Sequence, residues 1–478
     1  MQSDAAKTAS RYIDDEVVQR LLKAMDFLVF FATASFYSTA FASPSDIPNG
    51  AAIITFFSLA LAFLCVLLLR DLELYKAPAL LNGGWAFMKS AAAAFITGVA
   101  AYSLLDYFLI PLAPQWPLYW SLIVTPHLAL SRFFAQAWAR PVAAQGRFRK
   151  RIAIVGGGKV AEDALSALEA SRDLDIEVIG LFDDRDDVRS PHSIRRHLKI
   201  GKIADLAIYA RNHRVDLIIV AIPLAAEARL LHILKRLWEL PVDIRISGKA
   251  SSLKFSSNAY THIGRLPLLS VFDRPLMGWG LFLKIVFDRV VAAVMIIALA
   301  PIMLLVAAAI RLESKGPVIF KQKRYGFNNE MIEVFKFRSM YTDRCDAHAT
   351  TLVTKGDPRV TRVGRIIRKT SLDELPQLFN VLTGQLSLVG PRPHATQAKA
   401  ANTLYEQVVD GYFARHKVRP GITGWAQING WRGETDTREK IEQRVKYDLD
   451  YIDHWSLMFD IAILARTPVA LLKSENAY

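Results

Sequence analysis

The run VVAAVMIIALAPIMLLVAAAI, Val290–Ile310, decides how this chain is arranged about a membrane. It is long and apolar enough for a helix to cross the roughly 30 Å of bilayer hydrocarbon. Two features oppose a crossing. Pro301 stands at its centre, where it lacks a helical N–H and breaks or kinks the helix. Basic residues flank both ends, with Lys284 and Arg289 before it and Arg311, Lys315, Lys321, Lys323 and Arg324 after it. A crossing would also place the α/β-like sequence upstream and the arginine-rich sequence downstream on opposite faces of the membrane. The pattern predicts a re-entrant helix over 285–311 that dips in, turns at Pro301 and returns. Its turn must then be covered by protein or lie near the headgroups. A fifth crossing is the alternative.

Upstream lie four more apolar segments, roughly Phe27–Ala42, Ala51–Leu69, Ala91–Ile110 and Leu118–Ala137. They predict a four-helix transmembrane region over 1–140, with Asp26 marking the entry of the first and weakest helix. No signal-peptide pattern precedes them. Lys7, Arg11, Arg20 and Lys23 precede the first segment, and Arg70, Lys76 and Lys89 lie between the second and third. Arg140, Arg147, Arg149, Lys150 and Arg151 come after the fourth, whereas the loops SPSDIPNG and PLAPQWP hold no Lys or Arg. The positive-inside rule places both ends of this region in the cytoplasm, so the soluble parts downstream start on the cytoplasmic side.

Bulk composition agrees. The 478 residues allow about three domains. An apolar fraction of 52% with positive mean hydropathy is that of a membrane protein with large soluble parts. Two cysteines, Cys65 and Cys345, form no disulfide framework and cannot make a cysteine-based zinc site. The net charge of +14 would raise nucleic acid as a partner in a soluble protein. Here, with no nucleic-acid recognition module in the chain, it fits anionic membrane lipids and phosphate-bearing substrates.

Between the two membrane regions, 141–265 has a Rossmann-like α/β pattern. RIAIVGGGKVAEDALSALEA is a buried strand, a glycine turn and a helix, and IEVIGLFDD, VDLIIVAIP and VDIRIS are further strands. Gly156, Gly158 and Ala161 fit the G-x-G-x-x-G/A fingerprint, with Asp183 or Asp184 closing the next strand. Gly156 and Gly158 are therefore candidate nucleotide contacts, with packing glycines of an unliganded fold as the alternative. The ligand of this domain stays open.

Beyond the apolar run, arginine, glycine and proline become dense. Lys336 and Arg338 in VFKFRSM stand at a strand-like i, i+2 spacing that projects both to one side. DPRVTRVGRIIRK, LSLVGPRPH and HKVRPGITGWAQINGW come next, and guanidinium suits bidentate phosphate recognition. Among these cations sits TSLDELPQLFN, Thr370–Asn380, with two adjacent carboxylates ahead of Pro376. A capping box, Ser371 with Glu374, is the structural explanation for the acids. A carboxylate nucleophile with a Mg²⁺-holding neighbour, facing a diphosphate, is the chemical one.

FDRVVAAV with its proline, GPVIFKQKRYG, FKFRSM, SLDELPQLFNVLTGQLSLVGPRP and HKVRPGITGWAQING together resemble the bacterial sugar transferase family, the monotopic phosphoglycosyl transferases. The tail GETDTREKIEQRVKYDLDYIDHWSLMFDIAIL is most similar to the undecaprenyl-phosphate glucose phosphotransferases among them. The resemblance implies that 280–478 is an α/β monotopic catalytic domain. It also implies transfer of a sugar 1-phosphate, glucose 1-phosphate by the tail, from a UDP-sugar to undecaprenyl phosphate with release of UMP. Asp373 is then the nucleophile, Glu374 (with Asp373) the holder of Mg²⁺ or Mn²⁺, and Arg368 a phosphate contact. Lys336, Arg338, Arg392 and Arg419 are further substrate contacts. The product starts an exopolysaccharide, capsule or O-antigen. Rival functions are a membrane-tethered NAD-dependent nucleotide-sugar enzyme, for which the α/β region lacks a Tyr-x-x-x-Lys helix, and a non-catalytic scaffold for polymer export. Oligomeric state is left open, a homo-oligomer included.

Overall fold

The computed structural model describes residues 15–41, 50–81, 83–107, 115–144, 149–170, 176–185, 191–250, 260–342, 357–394, 399–400, 403–404, 409, 411–431 and 437–473. The amino-terminal arm before residue 15, most of SPSDIPNG, and Cys345 lie outside them. Two compact units result, Ile13–Arg149 and Lys150–Tyr478.

The first unit holds α1 (Asp15–Phe41), α2 (Gly50–Asp71), the short α3 (Ala77–Leu81), α4 (Gly83–Tyr107) and α5 (Trp116–Ala144). Four of the five are the anticipated long helices. They pack around Phe30, Leu61, Leu69, Trp120 and Leu128. The helix α1 begins eleven residues before Asp26, which lies fully buried inside it. Arg132 Nη2 (2.9 Å), His127 Nε2 (3.1 Å) and Tyr75 Oη (2.9 Å) surround its carboxylate. A buried charge must be matched in this way, and the partners come from α5 and the turn after α2.

The second unit begins with β1 (Lys150–Val155), α6 (Lys159–Glu169), β2 (Ile176–Phe182), β3 (Ser193–Ile194), β4 (His197–Gly201), α7 (Ile203–Asn212), β5 (Leu217–Val220), α8 (Glu227–Leu237), β6 (Asp243–Ser247), β7 (Tyr260–Ile263) and β8 (Leu266–Phe272). Their order is β3-β4-β2-β1-β5-β6-β8-β7, parallel from β4 through β6. Strands such as Ile152–Val155 and Leu217–Val220 are apolar on both faces because helices cover both. The sheet runs to Phe272, past the anticipated limit at 265, because the β7–β8 hairpin continues it antiparallel to β6.

Next comes α9 (Gly278–Glu313), assigned as one helix straight through Pro301. Any return of the chain is therefore a bend within a helix, not a loop. With α2 and α4, it is one of three helices in the described residues long and apolar enough to cross a membrane. One side of α9 is open, with Val290, Val294, Ile297, Leu304 and Leu305 exposed. The other packs along its length against β10 (Met331–Phe337), which pairs antiparallel with β9 (Ile319–Tyr325), and against α10 (Arg362–Lys369), α11 (Gln377–Thr383), β11 (Ser387–Val389), Val418, Tyr451, Ile452 and Ile463. The remaining elements are a small β12–β13 pair (Lys399–Ala400, Thr403–Leu404), β14 (Gly421–Thr423), α12 (Trp425–Ile428), α13 (Arg438–Asp453) and α14 (Leu457–Lys473).

Candidate active site

Thr361 caps α10 by accepting a hydrogen bond from Gly364 N–H at 2.8 Å. That short helix carries Arg368 in its last turn. Ser371 then reverses the chain with a left-handed φ of 59°, and a 3₁₀ turn, Leu372–Glu374, presents Asp373 and Glu374. Pro376 is the residue before α11, where its missing N–H costs nothing. The anticipated capping box does not form. Ser371 makes no side-chain cap, and Glu374 turns to two cations instead of a backbone N–H.

Those cations are Lys336, whose Nζ lies 3.0 Å from Glu374 Oε1, and Arg392, whose Nη2 and Nη1 lie 2.5 and 3.3 Å from Oε1 and Oε2. Asp373 is left differently. Among the described residues it has no hydrogen-bond or ion-pair partner, while Arg368, Lys336 and Arg392 stand near enough to act on its charge. Burial pushes the Asp373 carboxyl up to about 6, against the pull of Lys336 and with the push of Glu374. Burial acts on Glu374 too, but Arg392 and Lys336 outweigh it and hold Glu374 well below the usual carboxylate range. Arg368 likewise has no hydrogen-bond or ion-pair partner among the described residues. The site is thus a half-buried carboxylate, a fully engaged neighbour and an available guanidinium.

Lys336 comes from β10, and the last residue of the acid-pair motif, to which the sequence reading gave no role, fixes β10 there. Buried Asn380 on α11 donates to Glu333 O (2.7 Å) and accepts from Phe335 N–H (2.9 Å), pinning α11 to the edge of β10. The available signal was a polar side chain among the buried apolar positions of a short helix. Arg338, two residues past Lys336, does not share its role. It is buried against the end of α9, donating to Ser314 O (2.8 Å), Lys315 O (3.0 Å) and Ser314 Oγ (2.9 Å). Arg338 thereby fastens the cap residue and the one after it, and reaches one carbonyl of the last turn, Ile310 O, at 3.5 Å.

Arg392 rides on a loop fixed from behind. β11 pairs in parallel with β14, and the backbones touch so closely that a β-carbon on Gly421 would collide with Gly390 N. Only glycine permits that approach. Fully buried Arg415 donates to the Arg392 carbonyl (2.8 Å) and pairs with Asp448 (2.5 Å). Beside it, Arg444 donates to Trp431 O (2.7 Å) and meets His394 Nε2 at 3.2 Å. Burial, with Arg415 and Arg444 alongside, keeps His394 neutral, its pKa well below the usual imidazole value.

Arg419 is not placed with the acid pair; it lies beside Gly384 and Arg289, beyond the far end of α11. Near the start of α9, buried Lys284 meets Asp460 (2.7 Å) and Asp288 (3.2 Å), and Ser387 Oγ donates to Asp288 (2.7 Å). In the α/β sheet, Gly156 has φ 121°, and a β-carbon there would lie 2.6 Å from Ala221 O. Its N–H donates to Phe182 O at 2.9 Å. Gly158 precedes α6. Buried Asp183 is paired with Arg185 (2.9 Å) and Arg229 (2.5 Å), and Asp184 accepts from Ile203 N–H at the start of α7 (2.9 Å). The acids at the end of β2 are therefore held by the protein itself.

Comparison with known proteins assigns residues 279–474 to the model described as bacterial sugar transferase and 82–248 to one described as CoA-binding domain. An undecaprenyl-phosphate glucose phosphotransferase of Komagataeibacter xylinus is 40% identical over 335 residues, 70% of this chain and 61% of that protein. A UDP-glucose:undecaprenyl-phosphate glucose-1-phosphate transferase of Klebsiella pneumoniae is 38% identical over 361 residues, 76% of each. The exopolysaccharide production protein PSS of Rhizobium leguminosarum bv. phaseoli is 48% identical over 198 residues, 41% of this chain and 99% of that protein.

Proposed function

The chain belongs to the bacterial sugar transferase family, whose enzymes are phosphoglycosyl transferases, and on that premise we propose that it moves glucose 1-phosphate from UDP-glucose to undecaprenyl phosphate, releasing UMP. It is a membrane protein, and its active site faces the cytoplasm at the inner membrane, where a polar nucleotide sugar and a lipid phosphate can both arrive. The lipid-linked product opens an exopolysaccharide assembly, in keeping with the name of the Rhizobium relative.

One observation carries the chemistry: of two adjacent carboxylates, Glu374 is fully engaged, and Asp373 has no hydrogen-bond or ion-pair partner among the described residues. An Asp373 oxygen attacks the β-phosphorus of the donor. The bond from that phosphorus to the bridging oxygen breaks, UMP leaves, and an aspartyl phosphosugar remains. A phosphate oxygen of the lipid then attacks the same phosphorus, the acyl-phosphate bond breaks, and the Asp373 carboxylate returns. Arg368 steadies the non-bridging oxygens, and Lys336 and Arg392 hold Glu374 and neutralise charge around the transferring phosphoryl group.

Among the described residues no group of three or more metal-ligating side chains occurs. Two carboxylates nevertheless suit Mg²⁺, which takes one or two protein carboxylates and completes its shell with water and substrate phosphate. The uncommitted oxygens of Asp373 would hold it, and Glu374 would join them only by giving up a contact to Lys336 or Arg392. When bound it supplies charge neutralisation on the diphosphate.

The packing of α9 favours the re-entrant arrangement. At about 54 Å the helix is far longer than one crossing needs. One folded unit grips it near its start through Asp460 and Ser387, midway through the packing of Leu299 and Met303, and at its end through Arg338. Ends fastened to the same domain belong on the same side of the membrane.

The deciding experiment incubates purified protein with Mg²⁺, polyprenyl phosphate and UDP-glucose labelled at the β-phosphorus. Wild type gives labelled lipid and free UMP, and label stays on the protein before lipid is added. Asp373→Asn gives neither. Lipid labelling by that variant at the wild-type rate would eliminate the mechanism.

A further inference from the structure

Arg289 and Arg419 form a second concentration of positive charge, outside the transfer site. A β-carbon on Gly384 would meet Arg289 Nη2 at 3.4 Å and Arg419 Nη1 at 3.7 Å, so both guanidinium groups close over one glycine. Gly384 comes just after α11, and Asp373 precedes it; that helix alone separates them by about 10 Å. Among the described residues neither arginine has a hydrogen-bond or ion-pair partner, and neither donates to the terminal carbonyls of α11. Asp288 acts on Arg419 electrostatically, but its oxygens already serve Lys284, Ser387 and the Leu388 N–H. Burial, reinforced by Arg289, lowers the pKa of Arg419. Two like charges, one half-buried and without a counter-ion, are costly unless an anion comes from outside the chain.

The surroundings indicate which anion. Arg289 is exposed on α9, and the next outward residues along the helix are Val290, Val294 and Ile297, which are 57%, 61% and 76% exposed. A guanidinium leading directly into a bare apolar face sits at the boundary between headgroups and hydrocarbon. We propose that Arg289 and Arg419 together bind the phosphate of an anionic phospholipid headgroup, at a site separate from the one where transfer occurs. Paired guanidiniums match phosphate oxygens in a bidentate manner, and the lipid would seat α9 at a fixed depth. This binding rests on α9 lying in the membrane but not on the transfer reaction.

The test uses full-length protein in neutral maltoside micelles, titrated with fluorescent phosphatidylglycerol. Wild type shows saturable binding. Arg289→Ala and Arg419→Ala each weaken it about tenfold, Arg419→Lys restores part of it, and Lys323→Ala, at an exposed position on β9, changes nothing. Unlabelled phosphatidylglycerol displaces the probe, whereas inorganic phosphate at the same concentration does not. Equal displacement by inorganic phosphate would overturn the lipid assignment, and so would unchanged affinity in both alanine variants. Transfer is assayed in the same micelles with polyprenyl phosphate as the sole added lipid, where Arg289→Ala keeps the wild-type rate. Its loss there would assign the arginines to substrate diphosphate instead.

Discussion

Two carboxylates one residue apart repel each other, and here the nearby cations settle the matter by bonding to Glu374 alone. Asp373 then carries the cost of the pair and of its burial, with its pKa pushed up to about 6. If Asp373 is the nucleophile proposed above it must be ionised to react, so the rate of phosphosugar loading should rise as pH climbs through about 6. At pH 5 it should be near a tenth of its plateau, measured in a single turnover before lipid is added. For stability the sign reverses. A carboxyl whose pKa is higher folded than unfolded favours the folded state at low pH and loses that advantage as pH passes its folded value. Asp373→Asn should therefore melt no lower than wild type above pH 6. The two arginines read from one cluster of motifs should also separate. Arg392→Ala should fold normally and lose about a hundredfold in transfer. Arg338→Ala, which strips donors from the end of α9, should lose about 2–3 kcal/mol of stability, read by denaturant titration.

At the scale of elements, the site is a joint between a strand edge and a short helix. β10 carries Lys336, the 3₁₀ turn carries the acids, and Asn380 fastens α11 to β10. Asn380→Ala leaves Glu333 O and Phe335 N–H without their buried partner, at about 2–3 kcal/mol. Because the Lys336–Glu374 contact relies on the same joint, turnover should fall by more than the loss of folded protein explains. Circular dichroism melts alongside initial rates would show the difference. Proline made a helix near the acid pair legible, but a start near Asp373 was too early: a 3₁₀ turn occupies Leu372–Glu374, and α11 begins after Pro376. The sequence could not reveal Asn380 as a clamp, because its partners lie 45 and 47 residues away.

At the scale of the molecule, the two halves of the second unit meet at the 3₁₀ turn Tyr412–Lys417. Lys417 Nζ lies 5.1 Å from the Trp238 ring centre and 5.6 Å from that of Phe272, and Arg211 stacks over Phe413 at 5.9 Å. Arg415, on the same turn, holds the Arg392 carbonyl. Deleting residues 1–149 should thus leave transfer in detergent intact. Deleting 1–277 should expose that turn and lower the melting temperature by several degrees, with a loss of rate through the Arg392 loop. A relative aligned along 99% of its length to 198 residues of this chain fits the expectation that the shorter protein still folds.

Local pattern was enough to establish the apolar helices, the glycine turn after β1, the proline-bearing helix and the acid pair among arginines, because period, composition and spacing are properties of neighbouring residues. The rest was decided in three dimensions. Glu374 finds Lys336 and Arg392 across 38 and 18 residues, Arg338 turns back 24 residues to Ser314, and Arg419 settles beside Arg289. A charged side chain is assigned its work by whichever opposite charge or orphan carbonyl the fold brings within reach, and that distance exists only once the chain has folded.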